Sequence, residues 1–293
     1  MLLSIQHRTV YRYPQPVRLS RHRIRLHPRS SPALRVHRFN LTLEPGARVY
    51  WMRDLHGNPV AVASFDEPAG ALSIIASMEL DLVPVNPFDF LLEPHAAFFP
   101  FPYTDFESRA LAPFMAAGNP EECARVLPWL AREFPDFSGP TMQILTRLNR
   151  RLKERLRYVR REEQGVQAPD VTVDKGSGSC RDYARLMIEI CRQAGLAARF
   201  VSGYFHDPAV ARQSPSAASP ESMHAWCEIY LPGAGWKGFD PTHGLLATET
   251  CIPCAVSIDP WEASPIQGSY SRRGGPVPSS MEVSLHLQPA DRS

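Results

Sequence analysis

The sequence predicts a protein of mixed strands and helices that begins with an antiparallel β-sandwich. Over residues 1 to about 85, apolar side chains alternate with polar ones, and Pro45-Gly46 and His56-Gly57-Asn58-Pro59 mark turns between the alternating runs. From residue 140 onward, two stretches instead repeat their apolar residues every three or four positions. Several short strands without a helical repeat favour a sandwich for the first part of the chain. The repeat of three or four residues after residue 140 predicts helices there.

Composition narrows the classes of partner. The chain has 293 residues, of which 44% are hydrophobic and 21% charged, as in globular proteins. With 32 basic and 30 acidic residues its net charge is only +2, which favours neither nucleic acid nor an anionic membrane as partner. It has neither a signal-like N-terminus nor about 20 successive apolar residues, so we expect a cytoplasmic protein whose six cysteines stay reduced.

Changes in residue pattern and composition along the chain divide it into three segments. We assign residues 1–88 to an N-terminal β-rich domain, 89–138 to a proline-rich connector and 139–290 to a catalytic core. The 29 prolines are about twice the ordinary share and are dense in the connector. Asn119 and Pro120 have the residue types of a helix cap and a first helical position, so one short helix is expected there.

An amphipathic helix is predicted over residues 140 to 160. Arginines and lysines fill its other face, which we interpret as a solvated surface rather than a site for an acidic partner. Residues 206 to 220, rich in serine and proline, predict a mobile loop. The apolar stripe of the helix comprises Met142, Leu145, Leu148, Leu152, Leu156 and Val159.

A cysteine at the start of a second helix is the first candidate for chemistry. After Gly178-Ser179-Cys180 the chain is apolar on most helical faces until Gly195, so this helix should be buried. The unpaired N–H groups of a helix N-terminus carry partial positive charge and favour a thiolate. The alternative is a cysteine that only packs in the core.

A hairpin downstream supplies candidates for a base and its orienter. Residues 222–231 alternate in the manner of a strand, and residues 236–240 return after a Pro-Gly-Ala-Gly turn. A nucleophilic thiol needs a base, and the base needs a third group that fixes its tautomer. His224 and Asp240 have the residue types for these roles, with Cys180 as nucleophile.

The pairing register of the hairpin decides whether the carboxylate of Asp240 can reach and orient the imidazole of His224. If Leu231 lay opposite Trp236, Asp240 would point away from the histidine's face. If Tyr230 lies opposite Trp236, Asp240 falls opposite Trp226, one diagonal step from the imidazole. We predict this second register.

A competing site is the pair Cys251 and Cys254. With His243 it offers residue types that zinc prefers, or it could work as a redox pair. A lone C-x-x-C lacks the second pair of ligands of a structural zinc site, and its surroundings lack a thioredoxin pattern. We therefore expect neither a metal nor another cofactor.

Three motifs resemble the bacterial transglutaminase-like superfamily. They are Gly-Ser-Gly-Ser-Cys180-Arg-Asp-Tyr-Ala, then Gly-Leu-Ala-Ala-Arg199-Phe-Val-Ser-Gly-Tyr204, then His224-Ala-Trp226-Cys-Glu228 through Asp240-Pro-Thr. The resemblance covers about residues 140 to 245. The segments Tyr11 to Val17 and Arg23 to Arg29 are similar to the strand-rich domain that precedes the core in many members.

The resemblance implies a papain-like α+β core in which Cys180 is the nucleophile, His224 the general base and acid, and Asp240 the orienter. It implies thiol attack on an amide carbonyl and a thioester that passes to water, as in a protease or amidase, or to an amine, as in a transglutaminase. Peptide or protein substrates are expected, and ATP-grasp peptide-ligase-like proteins are implied as partners. A non-catalytic scaffold is the alternative.

Supporting roles are also expected near the triad. We expect Asp182 to favour the helix N-terminus and order the loop, Trp226 to wall the cleft or donate to an oxyanion, and Tyr204 to support the substrate site. Two positions depart from the family pattern. His243 stands where relatives usually carry asparagine, and Ser257-Ile-Asp-Pro-Trp261 lacks an expected arginine.

Overall fold

The computed structural model describes residues 1–161, 163–206, 222–272 and 278–289. The predicted loop of residues 206–220 therefore lies, apart from His206, outside the described residues. The first 82 residues form strands, as predicted: β1 (Leu2–Leu19), β2 (His22–Ile24), β3 (Leu34–Glu44), β4 (Arg48–Arg53), β5 (Pro59–Ser64) and β6 (Ala69–Leu82).

The connector contains more helix than its proline content predicts. Its elements are a 3-10 turn (Pro94–Ala96), β7 (Phe98–Phe99), α1 (Asp105–Met115), α2 (Pro120–Cys123) and α3 (Val126–Glu133), and β8 (Gly139–Pro140) follows it. The sequence analysis missed α1, which starts where Thr104 and Glu107 exchange side-chain and backbone hydrogen bonds as a capping box. Asn119 caps α2 through its side chain, as expected.

The remaining elements form the predicted core and a return to the N-terminal sheets. They are α4 (Thr141–Arg155), β9 (Arg157–Tyr158), α5 (Pro169–Lys175), β10 (Ser177–Gly178), α6 (Cys180–Gln193), β11 (Ala198–Phe205), β12 (Ser222–Leu231), β13 (Gly235–Asp240), β14 (Leu245–Leu246), β15 (Cys251–Ser257), a 3-10 helix (Pro260–Ala263), β16 (Ile266–Gln267), β17 (Tyr270–Ser271) and β18 (Ser280–Pro289). No helix among the described residues is both long and apolar enough to cross a membrane.

Three antiparallel sheets organise the chain. The core sheet has the order β14-β13-β12-β11-β15, and α6 packs on β11 and β12. The N-terminal sheets have the orders β17-β1-β6-β3, with β18 also on β1, and β16-β2-β5-β4. Strands β16, β17 and β18, which the sequence division groups with the core, thus pair with N-terminal strands.

The N-terminal region and the core sheet share a tightly bonded boundary. The buried Asn58 side chain pairs with both backbone groups of Val256 in β15: its Nδ2 donates to the carbonyl at 2.8 Å, and its Oδ1 accepts the N–H at 2.9 Å. Arg25, also buried, donates to Gln267 at 2.7 Å and pairs with Asp54. Such burial is tolerated because every polar group involved has a partner.

Candidate active site

The start of α6 carries Cys180 as its first helical residue. Ser179 is the N-cap, and the carboxylate of Asp182 in the first turn accepts its backbone N–H and its hydroxyl, both at 2.8 Å. Gly178 precedes them because a Cβ there would lie 2.7 Å from the Cβ of Asp182. The turn therefore holds the sulfur at the positive end of a buried helix.

Asp182 also connects this turn to the segment before it. Its Oδ1 accepts the N–H of Gln167 at 2.7 Å and the guanidinium of Arg161 at 2.8 Å. The side chain has no exposed surface, and these donors keep the pKa of the carboxyl below its usual value although burial opposes ionisation. Asp182 therefore orders the loop that precedes Cys180.

The hairpin of β12 and β13 has the predicted register. Tyr230 lies opposite Trp236 and Cys227 opposite Phe239, so Asp240 takes the next position, on the same face as His224. Imidazole Nε2 of His224 lies 2.8 Å from Oδ2 of Asp240, and both side chains are buried. The structure thus brings the predicted base and orienter into hydrogen-bonding contact.

The thiol of Cys180 completes the group. Interaction with the imidazole of His224 lowers the pKa of this thiol, and because Nε2 is bonded to Asp240, the nitrogen left for the sulfur is Nδ1. The backbone N–H of Ala225 is a second donor group that lowers the pKa of the same thiol. Sequence reasoning missed this donor, since a backbone group has no residue signature. It lies on β12 just past the segment that pairs with β13.

Local electrostatics favour the charged forms of Cys180 and His224. Burial raises the pKa of Cys180, yet the imidazole and the N–H of Ala225 outweigh it, and the pKa falls below its usual value. Burial lowers the pKa of His224, but the charges and hydrogen bonds of Asp240 and Cys180 raise it to about 10. The two shifts favour the thiolate–imidazolium pair over the neutral thiol and imidazole.

The other five cysteines have the opposite character. All six thiols are free and buried, but burial raises the pKa of Cys123 and of Cys191 to about 12. Burial also raises the pKa of Cys227, Cys251 and Cys254. Cys180 is thus the one cysteine whose surroundings favour the nucleophilic form.

Trp226 and Tyr204 occupy different places. Trp226 is buried beside His224, with ring centroids 6.1 Å apart and planes inclined by 27°. Gly203 in β11 makes room for it, because a Cβ there would lie 2.8 Å from the indole and 2.1 Å from the carbonyl oxygen of Ile252. Tyr204 instead packs in the N-terminal core, where its hydroxyl donates to the Leu26 carbonyl.

Three potential metal ligands lie close together at the site. Ligand-type atoms of His224, Asp240 and His243 lie within 4.8 Å of one another, and within the described residues no such group includes Cys251 or Cys254. Nε2 of His224 and Nδ1 of His243 lie 2.8 and 2.7 Å from Oδ2 of Asp240, so the three groups are hydrogen-bonded to one another.

Comparison with known families and proteins agrees with this architecture. Residues 128–241 match the family model described as the transglutaminase-like superfamily, and residues 3–81 match the bacterial transglutaminase-like N-terminal region. An uncharacterized protein of Mycobacterium leprae is 25% identical over 293 residues, covering 93% of this chain and 94% of that protein. An uncharacterized protein of Mycobacterium tuberculosis is 28% identical over 286 residues, covering 90% and 86%.

Two further similarities come from named proteins. A protein-glutamine gamma-glutamyltransferase of Pseudomonas aeruginosa is 35% identical over 74 residues, which is 25% of this chain and 11% of that protein. The crystal structure of a "putative cysteine protease" from Cytophaga hutchinsonii superposes with a TM-score of 0.72 at 17% identity, covering 100% of this chain and 92% of that one. At that identity the likeness concerns the fold.

Proposed function

We propose that this chain, which belongs to the transglutaminase-like superfamily, is a cysteine-dependent enzyme that transfers acyl groups from amide or peptide bonds. The observation that supports the proposal is the contrast among its thiols. Burial raises the pKa of five cysteines, whereas Cys180 contacts an imidazole that a buried carboxylate orients. A scaffold would have no use for one activated thiol.

In the first half-reaction the Cys180 thiolate attacks the carbonyl carbon of the substrate. A carbon–sulfur bond forms while the carbonyl π electrons move to oxygen, and the backbone N–H at the start of α6 stabilises the oxyanion. The oxyanion then collapses, the carbon–nitrogen bond breaks, and the imidazolium of His224 gives its Nδ1 proton to the leaving amine. The products are a thioester on Cys180 and a neutral imidazole.

In the second half-reaction neutral His224 takes a proton from the acceptor. With water as acceptor, hydroxide adds to the thioester, the carbon–sulfur bond breaks, and a carboxylic acid leaves as the thiolate–imidazolium pair is restored. We propose hydrolysis as the main outcome. The glutamyltransferase similarity over 74 residues supports the second candidate, in which an amine accepts the acyl group and forms a new amide.

The proposed substrate is an amide on an extended peptide or a protein side chain. Cys180 is only 9% exposed, so the reacting group must be slender enough to reach a nearly buried sulfur. We propose a papain-like arrangement, in which the cleft lies between the helix that carries Cys180 and the sheet that carries His224. A cytoplasmic location and cooperation with ATP-grasp peptide-ligase-like proteins belong to the same proposal.

Formation of an acyl-enzyme tests the function directly. The protein is mixed with p-nitrophenyl acetate, p-nitrophenolate release is followed, and intact mass and peptide mapping locate the acetyl group. We expect a rapid burst of one equivalent with acetylation of Cys180, absent in Cys180→Ala and retained in Cys191→Ala, whose thiol lies in the core.

The acceptor is identified in the same experiment. Adding methylamine diverts product from acetate to N-methylacetamide if an amine competes with water for the thioester. Slow acetylation spread over several cysteines, with no burst and no loss in Cys180→Ala, would contradict the enzyme and support the scaffold.

A further inference from the structure

The carboxylate of Asp240 accepts from two imidazoles. Nε2 of His224 lies 2.8 Å from Oδ2, and Nδ1 of His243 lies 2.7 Å from the same oxygen. A carboxylate only accepts, so Nδ1 of His243 carries a proton in its neutral as well as its charged form. The oxygen that orients the base therefore shares its charge with a second donor.

Fixing the orientation of Asp240 does not require this second imidazole. Its other oxygen, Oδ1, accepts the backbone N–H of Thr242 at 3.0 Å and that of His243 at 3.4 Å. These backbone bonds already orient the carboxylate. The imidazole of His243 instead donates to Oδ2, the oxygen that also binds His224. Its main effect is therefore to change how strongly Asp240 stabilises the proton on His224.

His243 is the more accessible of the two imidazoles. Its side chain is 35% exposed, whereas that of His224 is 6% exposed. Its ring stacks on Phe205 with planes 5° apart and centroids separated by 4.4 Å, and it lies 5.2 Å from the His224 ring. The stacking positions the ring with Nδ1 on Asp240.

Two donors on one acceptor oxygen weaken each other because each withdraws part of its negative charge. In the resting state the thiolate and the carboxylate both stabilise the proton on His224. Once Cys180 becomes a thioester, only Asp240 does. A carboxylate with full charge would then keep His224 protonated, yet the second half-reaction needs it neutral.

We propose that His243 is a positioning residue that, by sharing Oδ2 of Asp240, lets His224 lose its proton and act as base on the thioester. The inference rests on the proposed acyl transfer and assigns His243 to its second half. The other titratable groups bearing on Asp240 are the thiols of Cys227 in β12 and Cys251 in β15. Burial keeps both neutral, so they do not substitute for His243.

Two substitutions separate the donor from the ring. His243→Asn keeps an N–H near the position of Nδ1 and loses the ring, whereas His243→Phe keeps stacking on Phe205 and loses the donor. With p-nitrophenyl acetate, the burst reports acylation and the steady rate reports deacylation. We expect His243→Phe to change the burst rate by less than about threefold and to slow deacylation about tenfold at pH 7.

The pH dependence distinguishes this role from general support of the fold. The rate of deacylation rises with pH because His224 becomes neutral. A His224 that holds its proton more strongly therefore moves the midpoint of the pH–rate profile to higher pH. We expect an alkaline shift of about one pH unit in His243→Phe and a wild-type midpoint in His243→Asn. Equal loss in both half-reactions, an unmoved midpoint, or an Asn variant that behaves like Phe would overturn the role of His243.

A measurement without catalysis keeps this inference distinct from the proposed function. In Cys180→Ala the thiolate is absent, as it is in the thioester, and the titration of His224 can be followed by NMR. Adding His243→Phe should raise the pKa of His224 by about one unit, and adding His243→Asn should not. If this shift occurs but wild-type protein forms no acyl-enzyme, the proposed function fails while the effect of His243 on the pKa of His224 stands. If the shift is absent, the role of His243 fails.

Discussion

Alkylation of Cys180 should depend on His224 in a pH-dependent manner. The change is His224→Ala, which removes the imidazole that stabilises the thiolate and leaves burial, which disfavours it. The thiol pKa should therefore rise, and reaction with a neutral electrophile such as iodoacetamide should become slow at mildly acidic pH. Wild-type protein should keep reacting there, because the thiolate persists below its ordinary range.

The magnitude follows from two opposing effects of thiol pKa. At pH 6 an ordinary thiol, with a pKa of about 8.5, is only about 0.3% thiolate. Each unit of lowering raises that fraction about tenfold but reduces the intrinsic nucleophilicity about threefold, a net gain of about threefold. Over the roughly 2.5 units between 8.5 and the assay pH, the gain is about 15-fold. We therefore expect His224→Ala to lose about tenfold or more.

The assay measures second-order alkylation rates from pH 5 to 10, with mass mapping of the carbamidomethyl group. The ratio of the rates at pH 6 and pH 9 cancels any change in access caused by the smaller alanine. This ratio should fall at least about tenfold in His224→Ala and stay unchanged in His286→Ala, whose imidazole lies exposed on β18. A His224→Ala ratio equal to wild type would refute the ion pair.

Three other substitutions probe the supports of the site. Asp240→Asn should reduce the acylation burst rate roughly 1,000-fold, because the amide no longer holds the imidazolium. Asp182→Ala should lower the free energy of urea unfolding by about 3–5 kcal/mol, since buried donors and a guanidinium lose their acceptor. Asp174→Ala, which removes an exposed ion pair, should leave the urea midpoint nearly unchanged. Gly203→Ala should lower the melting temperature by overpacking, unlike Gly70→Ala, where a Cβ meets no atom within 4 Å; equal melting temperatures would contradict the clash.

Local sequence signals predicted the parts of the site that depend on local geometry. The helical period after Cys180 and the alternation around His224 fixed which faces are buried, and the requirement that Asp240 share the histidine's face selected the register observed between Tyr230 and Trp236. Those patterns work because a strand repeats every two residues and a helix every 3.6.

Features that depend on distant partners escaped prediction. Strand β18 pairs with β1 from Leu3–Pro289 to Arg12–Ser280, and no local pattern encodes a contact across so much sequence. Tyr204 lies in a motif next to the site, yet its strand position directs it into the N-terminal core. The start of α1 was missed because proline and phenylalanine around it outweighed the signal of Thr104 and Glu107.

The hydrogen bonds between Asn58 and Val256 join the N-terminal region to the core sheet. The Asn58 amide caps the outer edge of β15 as an added strand residue would, and Ile252 and Cys254 face apolar side chains of the N-terminal sheets. In a fragment lacking residues 1–88, the outer edge of β15 would be unpaired and its apolar side chains would be exposed to solvent. The two family regions should therefore be purified, crystallised and engineered as a single piece, because removing the first would loosen the packing around Trp226, which lies beside the imidazole of His224.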